Sequence, residues 1–293
     1  MSCEEPLNPS ALTFLSDPLC TIASMSNVPR LLALIDETIR NDPQHGQFYV
    51  LTAAIVDKAH PRYSGLWKDF RQVANRQPTK LVHASEIARA PNGHQDLSLL
   101  ERTIGDNPAV TAIAVVRTPF GPGGEEGARQ MCLSDLLAAL TSSFGIRHIV
   151  MDTRDHLGVA TKSMSAKPGT RNYEDIRTIH DLQRVGELPE DLRVVHADDQ
   201  RMHELWIADV VAYAVGRSLA DRDPFRLQWL APHLQMREAR MLPVSQRTDG
   251  RWAPDTGLTS LLIDYIARAK LSRNESRNFM SLGGAGVREV AAG

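Results

Sequence analysis

Cysteine is scarce in this sequence, and its spacing fits neither a disulfide scaffold nor a zinc site. Among 293 residues there are three cysteines, Cys3, Cys20 and Cys132, with no CxxC pair. Their number is odd and their spacing wide, which argues against a disulfide framework and against a structural zinc site. Three free thiols are typical of a protein from a reducing compartment.

The sequence also lacks a long apolar run and a strong net charge. No stretch approaches the roughly 20 apolar residues that cross a membrane, and Glu4 and Glu5 stand where a signal peptide would carry positive charge. We therefore expect a cytoplasmic protein without membrane contact. Lys and Arg number 33 against 35 Asp and Glu, a formal net charge of −2. Because this excludes a global positive field, any binding of nucleic acid must be local.

The composition is that of a folded chain, with 42% hydrophobic and 23% charged residues. Residues 1–29 contain four prolines and no sustained period, which predicts an irregular leader. Residues 30–223 form the predicted globular domain. Residues 224–293 are predicted to be a helical extension, with an amphipathic helix over 258–269 and a flexible tail over 281–293.

Apolar runs and helical spacing within residues 30–223 predict a mixed α/β sheet. Five strands are expected, over 31–35, 48–56, 109–116, 146–151 and 192–195, and the first two form an antiparallel pair. Helices are expected over 128–140, 174–185 and 203–220, with a short helix or loop over 80–90. Three strands followed by alternating helices and strands imply a five-stranded sheet with helices on its faces.

An Asp lies within the most apolar of these helices. Asp209 follows Leu205-Trp206-Ile207-Ala208 and shares its helical face with Leu205, Ala212, Tyr213 and Gly216. A buried carboxylate without a partner would be neutralised or would destabilise the fold by several kcal/mol. A cation should therefore meet Asp209, and a single Arg is the simplest alternative to a metal ion.

Two more carboxylates follow predicted strands directly. Asp36 ends the run 31–35 and Asp152 ends the run 146–151, where open α/β sheets place their ligand sites. If these strands are parallel neighbours, the two side chains lie side by side. Converging carboxylates without His or Cys at ligand spacing suit Mg²⁺ or Mn²⁺. Such sites serve phosphoryl transfer or hydrolysis, in which two metal ions activate water and stabilise the leaving oxygen.

These residues belong to a series of motifs that resembles a known family. The motifs are Leu34-Ile35-Asp36-Glu37-Thr38, Phe48-Tyr49-Val50-Leu51, His83-Ala84-Ser85-Glu86, Val150-Met151-Asp152 and Leu205-Trp206-Ile207-Ala208-Asp209-Val210-Val211-Ala212-Tyr213. In order and spacing, over residues 31–220, they resemble the DUF3800 family, which is similar to ribonuclease H-like nucleases. The family's usual Asp-Glu-Ser-Gly is Asp36-Glu37-Thr38-Ile39 here, and its Gln-Leu-Ala-Asp is Trp206-Ile207-Ala208-Asp209, so the acidic positions are kept.

The resemblance implies a ribonuclease H-like fold and a metal-dependent nuclease that acts on DNA or RNA. Asp36, Asp152 and Asp209 would be the catalytic carboxylates and the ligands of Mg²⁺ or Mn²⁺. Glu86 is our preferred fourth ligand. Many ribonuclease H-like enzymes carry the corresponding Glu on the first long helix, which here would nominate Glu125 or Glu126.

Glu37 and His83 are candidates for substrate contact or for support of the site. Glu37 should point to the opposite face of its strand from Asp36, so a metal role needs a local kink and solvated surface is the alternative. His83 precedes Glu86 by three residues, which puts both on one face if the segment is helical. It would then transfer a proton or contact substrate, and otherwise cap or pack the segment.

The segment after Asp152 holds the remaining candidates. Asp155 positions a water molecule or initiates a turn. Four basic residues flank a stretch that either closes over a phosphate backbone or forms a solvated loop: Arg154, Lys162, Lys167 and Arg171.

Three functions therefore stay open at this stage. The first is a nuclease that uses the carboxylates, and the second is a catalytically inactive module that binds nucleic acid or a partner protein. The third is a metal-dependent phosphatase, although Asp36-Glu37-Thr38 lacks the second Asp two positions on that haloacid-dehalogenase-type enzymes use. The choice between DNA, RNA and hybrid substrates and the oligomeric state are not specified by the sequence.

Overall fold

The computed structural model describes residues 29–42, 46–118, 120, 123–154, 171–241 and 258–285, with the side chains of the last range described to residue 274. The predicted leader, except residue 29, lies outside the described residues. So do Asp155, Lys162, Lys167 and the tail beyond residue 285.

The protein folds around one mixed β-sheet of six strands. They are β1 (Leu31–Asp42), β2 (Gly46–Asp57), β3 (Val110–Arg117), β4 (His148–Asp152), β5 (Arg193–Ala197) and β6 (Leu234–Glu238). Their order is β5-β4-β1-β2-β3-β6. β1, β2 and β3 form an antiparallel meander, while β4 runs parallel to β1, β5 parallel to β4 and β6 parallel to β3.

The mixed α/β architecture is confirmed, and the strand number is corrected from five to six. β6 was missed because its sequence, Leu-Gln-Met-Arg-Glu, alternates apolar and polar residues over only four positions, with just two apolar residues. It extends the sheet beside β3, so the chain after residue 223 contributes to the same sheet.

Seven α-helices are present in the described part of the chain. They are α1 (Leu66–Arg76), α2 (Ala84–Ile87), α3 (Gly93–Gly105), α4 (Gly124–Ser143), α5 (Arg171–Arg184), α6 (Leu205–Asp221) and α7 (Leu258–Ala285). α1 and α3 were not predicted. α7 continues through residues 281–285, so the predicted flexible tail is wrong for those five residues. No described helix is long and apolar enough to cross a membrane.

The two faces of the sheet bury separate apolar cores. Leu32 and Leu34 of β1 pack with α6 and with the helices between β2 and β3. Ala33 and Ile35 point the other way and pack against α4 and α5. This alternation is the period of two that a strand imposes on its side chains. We call these two sides the α6 face and the α4 face.

Candidate active site

Asp36 and Asp152 lie next to each other where β1 and β4 stop pairing. The parallel register matches Ala33 with Ile149 and Ile35 with Met151, so Asp36 and Asp152 are the next residues on each strand. The condition stated for their proximity, that the two strands are parallel neighbours, is therefore met. The prediction that β1 ends at Asp36 is wrong, because β1 continues to Asp42 as the partner of β2. By strand alternation, both side chains belong to the α6 face.

Helix α6 brings Asp209 to the same place by packing closely on β1. A Cβ atom on Gly216 would stand 2.5 Å from the Thr38 side chain, so only glycine permits this approach. The buried Thr52 hydroxyl lies 3.3 Å from the carbonyl oxygen of Asp36 and 3.5 Å from that of Ala208. The face of α6 inferred from the sequence for Asp209 is thus the one that meets β1.

The short helix α2 contacts Asp209 through its first residue. The Ala84 backbone N–H donates a hydrogen bond of 2.7 Å to Oδ2 of Asp209. His83 precedes this helix and makes no side-chain capping bond. Its Nε2 instead lies 3.4 Å from Oδ2 of Asp199. His83 therefore contacts a neighbouring carboxyl group rather than capping its own helix.

Asp199 is a fourth acid in this region that was not predicted from the sequence. We call Asp36, Asp152, Asp199 and Asp209 the carboxylate cluster. Asp199 follows β5 by two residues and interacts electrostatically with Asp36, Asp152 and Asp209. The signal was available, because Asp198-Asp199 comes after a predicted strand as Asp36 and Asp152 do. β5 lies beside β4 in parallel, so its carboxyl end meets the same edge of the sheet.

All four carboxyl groups are held in surroundings that disfavour their charged forms. Burial raises the pKa of Asp36 well above its usual range, and the charges of Asp209 and Asp152 raise it further. Burial also raises the pKa of Asp152 to about 7 and that of Asp209 to about 6. For Asp199 burial raises the pKa, and His83 opposes the shift. Such shifts follow when neighbouring acids lack a screening cation.

No Lys or Arg forms an ion pair with Asp36, Asp152, Asp199 or Asp209 within the described ranges. The single-Arg alternative for Asp209 is therefore not supported there. In the same ranges no three His, Cys, Asp or Glu side chains are close enough to form a preassembled metal-binding group. The cluster gathers carboxylates of the right chemistry, but the side chains do not converge on one point.

The acids on the α4 face differ from the carboxylate cluster because arginine side chains contact them. Glu37 points to this face, as the strand period predicts, but it is not solvated surface. It accepts hydrogen bonds from Arg129 and from the Tyr49 hydroxyl, and Arg154 Nε lies 3.2 Å from its Oε1. The side chains of Arg129 and Arg154 are 2% and 5% exposed. Glu37 is thus an anion held between two buried guanidinium groups.

Asp175 of α5 completes this arginine network. Arg129 donates to both of its carboxylate oxygens, each at 2.7 Å, and His196 Nε2 lies 3.1 Å from Oδ2. Burial raises the pKa of Asp175, but the charge and hydrogen bonds of Arg129, aided by His196, outweigh it and leave the pKa below its usual range. The network joins β1, α4, α5 and β5 behind the carboxylate cluster.

A cavity of about 210 Å³ lies where the two clusters meet. Its wall includes three acids and three arginines: Asp36, Glu37, Asp152, Arg129, Arg154 and Arg171. Pockets for drug-sized ligands are larger, roughly 300–1,000 Å³. The cavity thus takes a small polar group rather than a whole nucleotide.

The other predicted candidates lie around this centre. Glu86 is exposed on α2 and acts on Asp209 through its charge, so its role as fourth ligand stays a prediction. Glu125 and Glu126 are in the first turn of α4, on the other side of the sheet. Arg154 Nη1 donates to Oε2 of Glu126 at 3.1 Å. Arg154 itself belongs to the arginine network and not to the surface.

The donor set of the carboxylate cluster fits a hard divalent cation. Carboxylate oxygens are the ligands that Mg²⁺ and Mn²⁺ prefer. Asp36 and Asp209 each accept one backbone N–H, from Glu37 at 2.7 Å and from Ala84, and every carboxylate keeps further lone pairs. The unscreened repulsion among the four acids is what a bound cation would relieve.

Comparisons with known proteins give little further information. No family model matches the sequence, and no curated protein is significantly similar to it. Among solved structures, a chain of the PCNA:RNase HII complex from Archaeoglobus fulgidus is similar over 82% of this chain and 90% of that one, with 13% identity and a TM-score of 0.36. A TM-score this low carries no argument, so the interpretation of the site rests on its geometry.

Proposed function

We propose that this protein is a divalent-metal-dependent hydrolase of phosphodiester bonds, with a ribonuclease H-like fold and nucleic acid as its substrate. The observation that carries the proposal is the cluster of Asp36, Asp152, Asp199 and Asp209. These half-buried acids come from β1, β4, β5 and α6 to the same edge of the sheet, and no described Lys or Arg forms an ion pair with them. A fold that concentrates unscreened negative charge at one edge is suited to binding a cation there.

The order of the elements supports the fold part of the proposal. An antiparallel meander of three strands, followed by two parallel strands beside β1, is the order that the resemblance to DUF3800 and to ribonuclease H-like nucleases implies. β6 is an addition beside β3, far from the cluster in the strand order. The acidic positions of the motifs support it as well, because Asp152 and Asp209 lie close enough to Asp36 to act on it through their charges.

Each residue has a role in this proposal. Asp36, Asp152 and Asp209 would hold Mg²⁺ or Mn²⁺, and Asp199 or Glu86 would add a fourth carboxylate. The chemistry that such ions supply is activation of the attacking water and stabilisation of the leaving oxygen. Ala84 fixes one oxygen of Asp209 through its N–H, and Thr52 ties β1 to α6. The arginine network holds β1 from its other side through Glu37.

The test compares the parent protein with the variant Asp36→Asn/Asp152→Asn. Thermal and urea unfolding are followed while Mg²⁺ or Mn²⁺ is titrated, and each protein is incubated with labelled single-stranded, double-stranded and hybrid oligonucleotides. The parent should gain about 2.7 kcal/mol of stability at a metal concentration 100 times the dissociation constant, and it should cleave at least one substrate. The variant should do neither.

The control is Asp264→Asn, which removes an exposed carboxylate of α7 that pairs with Arg268. It should respond to metal as the parent does. Absence of any metal response in the parent, or full cleavage by Asp209→Asn, would sink the proposal. Stabilisation without cleavage of any oligonucleotide would keep the metal site and exclude the nuclease.

A further inference from the structure

The connection between β2 and β3 carries an excess of positive charge. Residues 58–90 contain seven Lys or Arg and two Asp or Glu, five positive charges in excess, in a chain whose formal net charge is −2. This segment includes α1 and α2. The basic character is therefore local and lies in the part of the chain that leads into the carboxylate cluster.

Five of these basic residues have no carboxylate partner among the described residues. Lys58 pairs with Glu204 at 3.1 Å, and Arg76 contacts Asp96. The others form no ion pair with Asp or Glu in the described part of the chain, and we call them the basic surface: Arg62, Lys68, Arg71, Lys80 and Arg89. All five are exposed. Asp69, the acid nearest to them in sequence, accepts a hydrogen bond from the Thr103 hydroxyl at 2.7 Å.

Helix α1 directs its cations away from the core. Leu66, Phe70 and Val73 of α1 are buried on the α6 face, whereas Lys68 and Arg71 are on the solvent side. At the end of this helix, Lys80 Nζ donates to the carbonyl oxygen of Asn75 at 2.7 Å, which fixes another cation at the same end of α1. Lys68 and Asn75 are seven residues apart, about 10 Å along the helix axis.

The same segment reaches the candidate active site within a few residues. Three residues after Lys80, His83 lies beside Asp199, and the next residue donates its N–H to Asp209. Arg89 follows the end of α2 by two residues. Phe70 and Val73 of α1 share one core with Ala84 and Ile87 of α2, so the basic surface and the site belong to one packed layer.

We infer that the basic surface binds the phosphate backbone of a nucleic acid strand that extends from the carboxylate cluster. This inference rests on the proposed function and adds the surface along which the substrate strand lies. A small phosphoester cannot contact cations spread over about 10 Å, whereas each strand of a duplex presents a phosphate roughly every 3.4 Å along the axis. The surface contributes affinity without reading sequence, because contacts to phosphates are the same for every base.

The experiment measures binding of a fluorescent oligonucleotide in EDTA as a function of salt. Each lost phosphate contact makes the slope of log K against log salt shallower by about 0.7 for a single strand and about 0.9 for a duplex. Lys68→Gln/Arg71→Gln should therefore reduce the slope by roughly 1.4 to 1.8, and weaken binding at low salt about tenfold or more. Urea unfolding of both proteins checks that the variant is folded.

The control is Lys270→Gln/Arg184→Gln, which removes two exposed cations from α7 and α5 and changes the net charge equally. Its slope should equal that of the parent. Equal slopes for the basic-surface variant and the parent would overturn the inference. Binding of polyglutamate but not of the oligonucleotide would also overturn it, in favour of an acidic protein partner. Because EDTA prevents metal-dependent turnover, the result can be read even if no nuclease activity is found.

Discussion

Asp36 and Glu37 are neighbours in one strand, yet they lie in two opposite electrostatic environments. Glu37, on the α4 face, is held by Arg129, Arg154 and Tyr49. Asp36, on the α6 face, has Asp152 and Asp209 nearby and no ion-pair partner in the described residues. Both environments are largely shielded from water, so burial does not distinguish them. They differ in whether arginine side chains form ion pairs with the carboxyl group.

The presence or absence of ion-pair partners separates acids with a structural role from acids suited to binding a cation. On the α4 face, Glu37 and Asp175 are matched by guanidinium groups, and Asp175 is held in its charged form. On the α6 face, burial and then the neighbouring acids raise the pKa values, and the described residues offer backbone N–H groups and His83 but no ion pair with Lys or Arg. The first cluster is therefore structural, and the second is the one to which a binding function is attributed.

The largest expected effect on stability comes from removing an arginine of the α4 face. Arg129→Met would leave Asp175, whose side chain is 1% exposed, and Glu37 without their main partner. Removing one member of a buried ion pair costs about 3–5 kcal/mol because the other charge stays buried. Urea unfolding at pH 7.5 should show a loss of this size.

The matched control is Arg217→Met, whose guanidinium is 40% exposed and pairs with Asp221 four residues later. That change should cost less than about 1 kcal/mol. If the two variants lost equal stability, Arg129 would not compensate the buried acids as we infer.

On the α6 face, removing an acid is expected to raise the stability of the metal-free protein, by a smaller amount. Folded Asp152 keeps its proton up to a pKa of about 7, whereas the unfolded chain releases it near pH 4. Between these values the unfolded state binds fewer protons, so the stability of the metal-free protein falls as pH rises. Asp152→Asn abolishes this penalty and should stabilise the protein at pH 8 by roughly 1–3 kcal/mol.

The measurement is urea unfolding in EDTA from pH 4.5 to pH 8. The gap between Asp152→Asn and the parent should grow from near zero at the acid end and level off above pH 7. A variant that is less stable than the parent at pH 8 would contradict the picture of an unscreened acid. The experiment needs no bound metal, so it tests the environment separately from the function.

The sequence predicted the meeting of acids better than it predicted their surroundings. Asp36, Asp152 and Asp209 could be placed together because strand ends and helical faces follow from local periodicity. Asp199 obeyed the same rule after β5 and was overlooked. No local sequence pattern predicts the arginine network, because Arg129, Arg154 and Asp175 come from three distant segments. They become neighbours only when the sheet and its helices pack.

Three features of the fold were not predicted, and the reasons differ. α1 has its buried residues at helical spacing, Leu66, Phe70 and Val73, so its helix could have been read from the sequence. β6 was harder to predict, because its alternation covers only four residues and its only strand partner, among the described strands, is β3. The length of β1 beyond Asp36 was likewise set by pairing with β2, a tertiary effect that an apolar run does not report.

The smallest expected effect concerns the identity of the fourth carboxylate. Asp199 is 17% exposed in its side chain and faces His83, while Glu86 is exposed on α2. Burial raises the pKa of Asp199, and His83 opposes the shift, so Asp199→Asn in EDTA at pH 8 should stabilise the protein by less than about 1 kcal/mol. Glu86→Gln, a surface change, should stay within about 0.5 kcal/mol of the parent.

The sign of the Asp199→Asn effect decides to which group this acid belongs. A gain, however small, places Asp199 with the unscreened acids and makes it the better candidate for the fourth ligand. A loss of stability means that His83 compensates it as the arginines compensate Glu37. In that case the unscreened set contracts to three, and Glu86, whose charge also acts on Asp209, is the remaining acid that a bound cation could recruit.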